Sequence, residues 1–539
     1  MKGRNETMKK LTRLLALALC LALCLSLAAC GGSKSESADG KVFVYGTDAN
    51  SATFDPASDL QTNSGSFLLL AVGEPLWKID DAGEIHYILA ESSEWAEDYS
   101  TLTVHLREGV KFSNGNDFNA EDVLYTLDHL LAQPRTATMY VNIDRANTTA
   151  PDDYTVVFAM KCYDASIESL FGNTNNIMLD KETCEADPSF SWIIGTGPYM
   201  LQGDGVTDKS GWEESVQYTL VRNDNYWGDA PYYDELIAKF YSEESTRYAD
   251  FQAGNLDAIY LTEASYINNL SKGAVPDAFL VQKGDQSCNG FAMTCYNVTT
   301  SDEASNEITR TNPLTDINVR KAFAHCLDIE TMVTSLGEGI YLPATGILSP
   351  DNWAYVEGGY DYDPELAKQE LAEAGYSVDN PATLAVYAEG TAWNTAMFES
   401  AKAYCAEVGI DLDLSGVADF GTILPHLIAG DQDLSLTQIS NGSGNDPSCL
   451  LQQMSPTSDN TQLRLQEPRL CELYNEGLTT EDQATRKEIY TELQQGIIEN
   501  YLFVPAFYAT KTYAVQGVHA SAADAFLGSM WLDPTLLTD

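Results

Sequence analysis

Between Lys41 and Tyr508 the chain alternates stretches whose apolar residues recur at every second position with stretches whose apolar residues recur at helical spacing, and no fixed period separates them. The first pattern needs a sheet and the second a helix lying on one. The alternation therefore commits the chain to an α/β architecture and excludes a solenoid of stacked repeats. "KVFVYGTDA" from Lys41 reads as an entering strand. "YSTLTVHLREGVKF" (99–112) alternates Leu102, Val104 and Leu106, and "YTVVFAM" (154–160) is a second strand expected to pair near it. Asn119 precedes "AEDVLYTLDHLL", where Asp122 completes a capping pattern and Val123, Leu124, Leu127 and Leu130 form one apolar face. "GTGPYML" (195–201) is a turn before a strand, and strands are expected in 216–228 and 236–242. "STRYADFQAGNLDAIYL" (245–261) is helix-like with Gly254 as a stop, and 317–336 keeps a helical period throughout. "DPELAKQELAEAGY" (363–376) is a helix ended by Gly375 and followed by a strand, and 485–508 is a long helix followed by another strand.

The first 29 residues follow a different pattern. Lys2, Arg4, Lys9, Lys10 and Arg13 precede the uncharged run Leu14 to Ala29, which is short for a bilayer span and suits the core of an export signal. The small residues Ala28 and Ala29 then precede Cys30. "LAAC" resembles the bacterial lipobox, which implies that the Cys30 thiol is acylated and becomes the first mature residue; ordinary secretion with cleavage nearby is the rival reading. Gly31 to Gly40, "GGSKSESADG", has nothing to bury and reads as a flexible leash.

The formal net charge is −49; without residues 1–29, which hold five basic residues and one acidic one, it is about −53. Such a charge argues against a nucleic-acid partner and against lying flat on anionic lipid, so no nucleic acid is expected and membrane contact is expected through the anchor alone. The remaining 510 residues are too many for one core, and two or three domains are expected. Eight cysteines fall in the folded body, and their pairing is open. In "CNGFAMTC" (288–295) a tight turn at Asn289 and Gly290 would bring the two cysteines together, whereas a straight strand would hold them roughly 23 Å apart.

Seven pieces occur in order: "FDP" (54–56), "LREGVKFSNGNDFNAEDVLYTL" (106–127), "GTGPYML", "RNDNYWG" (222–228), "FQAGNLDAIYL" (251–261), "NPLTDINVRKAFAHCLD" (312–328) and "YDPELAKQELAEAGY" (362–376). Together they resemble the extracellular solute-binding proteins of oligopeptide, dipeptide and nickel importers of the ATP-binding cassette (ABC) type, bacterial solute-binding family 5. The resemblance implies a Venus flytrap: two α/β lobes joined by crossing hinge strands, with a third domain inserted. It places lobe I in 41–62, 190–300 and 510–539, the inserted domain in 63–189 and lobe II in 301–509. It further implies a monomer that is no enzyme. Such a protein captures an oligopeptide or peptide-like solute between its lobes and delivers it to a permease and ATPase. It would be lipid-anchored on the outer face of the cytoplasmic membrane, on the periplasmic side where an outer membrane exists. A stand-alone receptor for a pheromone, glycan or chelated metal is the alternative.

The same resemblance supplies the candidate ligand residues. Asn63, Ser64 and Ser66, in "NSGS", would donate to ligand carbonyls, or form a plain loop with an Asx turn. Asn441, Ser443 and Asn445 fall in the lobe II loop that faces the cleft in relatives. Relatives that hold a peptide ammonium carry "W-x-x-D-Y-x-x-P" there; matching its proline to Pro447 puts Ser440 at the tryptophan and Ser443 at the aspartate, with Asp446 adjacent but out of place. Phe507 and Tyr508 lie where strands return through the lobe interface, as ligand contacts or as core, and Trp393 would wall a side-chain pocket. Trp227 in "YWG" reads as lobe packing. The six histidines form no HExxH and no zinc-like cluster, and neither a GxSxG elbow nor a phosphate loop is present. No zinc, nucleotide or other cofactor is expected, with calcium the least secure exclusion because carboxylates abound.

Overall fold

The computed structural model describes residues 40–48, 55–57, 63–80, 84–137, 139–173, 176–187, 194–203, 208–284, 287–301, 307–337, 340–438, 446–451, 467–517 and 532–538. Among these, one large sheet runs in the order Ala278–Gly284, Thr510–Gln516, Ala258–Leu261, Val42–Thr47, Glu235–Phe240, Gln217–Arg222 and Tyr199–Leu201. We call it sheet I. Phe43 and Tyr45 project from its middle strand onto Phe67, with ring centroids 6.3 and 4.7 Å apart, because alternate residues share a face. Phe67 belongs to the helix Asn63–Val72, whose Leu68, Leu69, Ala71 and Val72 are buried in the same core. The glycines of "GTGPYML" permit close approach to that helix: a Cβ on Gly195 would stand 2.1 Å from the Val72 carbonyl oxygen.

Sheet II runs in the order Leu342–Pro343, Phe503–Tyr508, Asn289–Met293, Leu434–Gln438, Ala382–Glu389 and Ile410–Ala418. Ala382, Leu384, Val386 and Ala388 are buried against Met397, Phe398, Ala401 and Cys405 of the helix Ala392–Val408. The chain passes between the sheets at two neighbouring places. Ala278–Gly284 of sheet I leads into Asn289–Met293 of sheet II, and Phe503–Tyr508 returns into Thr510–Gln516. Both members of each sheet's pair are antiparallel, with Gly284 opposite Thr510 on one side and Asn289 opposite Phe507 on the other. Two lobes joined by crossing strands are the result.

A third core surrounds the sheet Ala90–Trp95, Thr101–Leu106, Thr155–Ala159 and Thr149–Asp152. The expected pairing of the two strands is antiparallel, with Val104 opposite Val156. The helix Ala120–Ala132 begins with the predicted capping box between Asn119 and Asp122. This domain docks on both lobes. Cys449 of the second lobe lies in its core, and the Ala165 N–H donates to the Leu478 carbonyl at 2.9 Å.

Several expectations need correction. The borders 62/63 and 300/301 move, because Asn63–Val72 packs into the core of sheet I and the chain already enters sheet II at Asn289. "STRYADFQAGNLDAIYL" divides at Gly254, which adopts a φ of +76°, into the helix Glu244–Gln252 and the strand Ala258–Leu261. The run 317–336 contains two helices, Ile317–His325 and Ile329–Gly337, because the Asp328 carboxylate accepts from the Thr331 N–H and restarts the winding. "CNGFAMTC" is a strand over Asn289–Met293, and both of its cysteines are free thiols.

The seam between sheet I and the inserted domain holds a buried carboxyl. Glu74 accepts from Trp227 Nε1 at 2.9 Å and Thr196 Oγ1 at 2.8 Å, with the Tyr226 hydroxyl at 3.4 Å, so Trp227 is packing as expected. Burial pushes the Glu74 carboxyl from 4.5 up to about 7, against the pull of these donors and of Lys78. A raised folded pKa means that the native state holds a proton that the unfolded chain has released, so stability falls as pH rises from about 4.5 to 7 and the loss is complete above that. The span corresponds to about 3 kcal/mol. Wild type is therefore expected to lose more melting temperature between pH 5 and pH 8 than Glu74→Gln does; parallel losses in the two proteins would contradict this assignment.

Candidate functional site

In sheet II the strands Ala382–Glu389, Ile410–Ala418 and Leu434–Gln438 run parallel, with the first between the other two. At the carboxyl edge the chain leaves toward opposite faces. Thr391 caps the helix Ala392–Val408, which covers the Leu384 and Val386 face. Asp419 caps the helix Phe420–Ala429, whose His426 stacks on Tyr387 from the other side at 4.8 Å. A crevice at this kind of divergence is where open α/β sheets take ligands.

Three aromatic rings meet beside this edge. Tyr341 stacks on Trp393 with centroids 3.9 Å apart, and Phe507 meets both edge-on at 5.2 and 5.1 Å. Phe507 is opposite Asn289, which is opposite Gln438 at the end of the parallel strand, so register brings it to the same edge. The register shift between Asn289 and Gly290 leaves Ala506 as an extra residue, and the bulge turns Phe507 onto the face of Val504 and Phe291. The Trp393 indole Nε1 is buried with no hydrogen-bond partner. An unpaired buried donor costs about 1–3 kcal/mol, a cost that an acceptor on a bound solute would remove.

The other predicted residues lie elsewhere. Tyr508 points to the opposite face of sheet II, buried with Cys288, Leu450 and Phe503, and its hydroxyl donates to the Leu348 carbonyl at 2.9 Å; it is core and not a contact at this edge. The stretch "NSGS" is helical and not a loop: Ser64 and Ser66 are buried on Asn63–Val72, where the Ser64 carbonyl accepts from the Tyr218 hydroxyl at 2.6 Å. The Ser66 hydroxyl is buried without a hydrogen-bond partner. The Asn63 side chain, Asn441, Ser443, Asn445 and Cys30 lie outside the described residues. Asp446 is engaged: it caps Pro447–Leu450, accepting from the Ser448 N–H at 2.9 Å, and pairs with Arg486 Nη2 at 2.6 Å. Arg486 in turn lies 5.3 Å from the Trp353 ring and donates to the Gly477 carbonyl. Tyr341 was not among the predicted residues; its only sequence signal is an aromatic set in the glycine- and proline-bearing stretch "GEGIYLP". Among the described residues no three His, Cys, Asp or Glu side chains converge as metal ligands.

The chain belongs to the bacterial extracellular solute-binding proteins of family 5: the profile of that family's middle region matches residues 84–461. Among relatives, heme-binding protein A of Haemophilus influenzae is 28% identical over 402 residues, covering 65% of this chain and 66% of that protein. The dipeptide-binding protein of Escherichia coli is 27% identical over 325 residues, covering 54% of this chain and 56% of its own. The chain thus spans less than two thirds of either relative's length. The solved structure of the binding protein AgaA from A. tumefaciens R10 with agropinic acid shares the fold, at a TM-score of 0.75 and 21% identity over 92% of this chain and 97% of that one.

The two faces of the strand Phe503–Tyr508 are expected to separate in experiment. Tyr508→Phe leaves a buried carbonyl without its donor and should cost about 1–2 kcal/mol of stability without changing affinity for whatever solute co-purifies. Trp393→Phe should keep the ring packing and weaken that solute about fivefold or more by loss of one hydrogen bond. Calorimetry with the eluted solute checks both, and unchanged affinity in Trp393→Phe would remove the indole from the site.

Proposed function

We propose that this protein is the lipid-anchored substrate-binding component of an ABC importer, capturing oligopeptides or peptide-like solutes between its lobes and delivering them to a permease. The observation that carries this reading is the paired strand crossing between two α/β lobes, with an aromatic edge on one of them. Two lobes on such a hinge convert ligand contact into closure, because a solute touching both favours the closed state by its differential affinity. Membership of family 5 supports the binding role, and the dipeptide-binding relative supports the solute class. An extended peptide suits a site at strand ends, where main-chain groups are read and side chains enter pockets.

Recognition in this reading depends little on a free N-terminal ammonium. Matching the relatives' motif proline to Pro447 would put Ser443 at their aspartate, and the neighbouring Asp446 already neutralises Arg486. Moving Asp446 to a ligand would strand a buried guanidinium, which costs several kcal/mol. One peptide, identified from the solute that co-purifies, should bind in free and N-acetylated forms with affinities within about tenfold of each other. A hundredfold loss on acetylation, about 2.7 kcal/mol, would reveal a dedicated ammonium site and overturn this reading.

The anchor half of the proposal rests on the charged front, apolar run and small residues that precede Cys30. Metabolic labelling with a fatty acid is expected to mark wild type and to miss Cys30→Ser; equal labelling would refute the anchor.

A further inference from the structure

All eight cysteines of the folded body are free thiols in this structure, yet two of them are in contact. Cys326 Sγ and Cys405 Sγ are 3.6 Å apart. Cys326 ends the helix Ile317–His325 and Cys405 lies near the end of Ala392–Val408, so the contact joins two helices packed on one face of sheet II. The Cys326 thiol lies 3.2 Å from the Phe323 carbonyl, a donor geometry that leaves its sulfur open toward Cys405. Both residues are buried, at 1% and 0% exposure, among Phe323, Ala401 and Leu371. Cys288 and Cys295, the nearest pair in sequence, bracket the extended strand Asn289–Met293.

We infer that Cys326 and Cys405 are a disulfide-forming pair that staples the helical layer of lobe II. The inference that the bond is closed in the cell rests on the extracytoplasmic location proposed above, where thiols are oxidised and persist as disulfides. The sulfurs need to approach from 3.6 Å to about 2 Å, within reach of side-chain rotation between helices already in contact. With glutathione disulfide as oxidant, one protein thiolate attacks a glutathione sulfur, the oxidant's S–S bond breaks, and one glutathione thiolate leaves. The second protein thiolate then attacks the mixed disulfide and expels the other glutathione. The protein gives up two thiol protons and two electrons, and glutathione disulfide becomes two thiols. Full burial of both sulfurs places this exchange during folding, before the helices close over them.

The bond would close a loop spanning 79 positions, which holds the helix Pro364–Glu373 and the strand Ala382–Glu389. It also fixes the helix whose first turn presents Trp393, so the aromatic edge would keep its place in the open lobe. A staple over a loop of this length acts mainly on the unfolded chain.

The test refolds the full chain from guanidinium with glutathione disulfide, quenches in acid, alkylates and maps the peptides by mass spectrometry. One linked peptide pair joining Cys326 to Cys405 is the expected result. Alkylation of all eight body cysteines, or a link to any other cysteine, would overturn the inference. Addition of dithiothreitol should lower the melting temperature of the oxidised wild type by about 5 °C or more. The double variant Cys326→Ala, Cys405→Ala should show no such response, and an equal response there would also overturn it. The same mapping on protein trapped by acid in intact cells separates the two claims. A pair that forms in vitro but is thiol in the cell counts against the extracytoplasmic location and not against the pair.

Discussion

Two strand pairs in register hold the rest of the molecule in place: Ala278–Gly284 with Thr510–Gln516 in sheet I, and Asn289–Met293 with Phe503–Tyr508 in sheet II. Because the chain crosses twice and the crossings are neighbours, the lobes share a narrow double connection that resists sliding and permits rotation. A slip of one residue would exchange the faces of Phe507 and Tyr508, sending an aromatic ring away from Trp393 and a hydroxyl into an apolar layer. The bulge at Ala506 sets that choice locally, within two residues of the crossing. The strand crossing and the candidate aromatic edge are therefore specified by the same few residues.

The loop before Leu342–Pro343 carries that coupling further. Ile340 is buried with Tyr248, Phe251 and Ile267, which belong to helices on sheet I, while the next residue, Tyr341, lies flat on Trp393 of lobe II. A rotation of one lobe on the other has to move Ile340 within its apolar seat or drag Tyr341 across the indole. Either response changes the surroundings of the buried Nε1 donor. In the proposed binding role, closure and the polarity of the candidate site would in this way be linked by packing.

Local signals were legible in the sequence where the physics is local. Asn119 and Asp122 cap their helix as spacing alone predicts, and Gly254 and Gly375 both adopt positive φ at helix ends. What the sequence concealed depends on distant partners. "NSGS" has the composition of a loop, yet Phe67, Leu68 and Val72 bury against sheet I and draw the preceding residues into their helix. Phe507 and Tyr508 were indistinguishable until the strand had a partner to bulge against. Trp393 was expected to wall a pocket because an indole offers apolar area with one donor; the structure stacks it on Tyr341, which lies 52 positions earlier and joins it only in three dimensions.

The acidic excess shows why bulk charge says so little about what the cleft binds. Four acids shielded in the described part of the chain have internal partners: Asp446 has Arg486, Asp433 has Arg310 and the Ala385 N–H, Asp164 has Ser166 and Asn142, and Asp533 has Lys78. Glu74, with three donors, is pushed by burial toward its neutral form. Burying a carboxylate without such compensation is costly, so acids that enter the interior tend to be matched and most of the remainder are left to solvent. The chain's acidic excess therefore says little about the charge of a bound solute. In the proposed binding role, ligand charge would depend instead on which buried polar groups lack a partner; among the described residues of the aromatic edge the Trp393 N–H is such a donor, and it would favour a solute presenting a carbonyl or carboxylate oxygen over one presenting a cation.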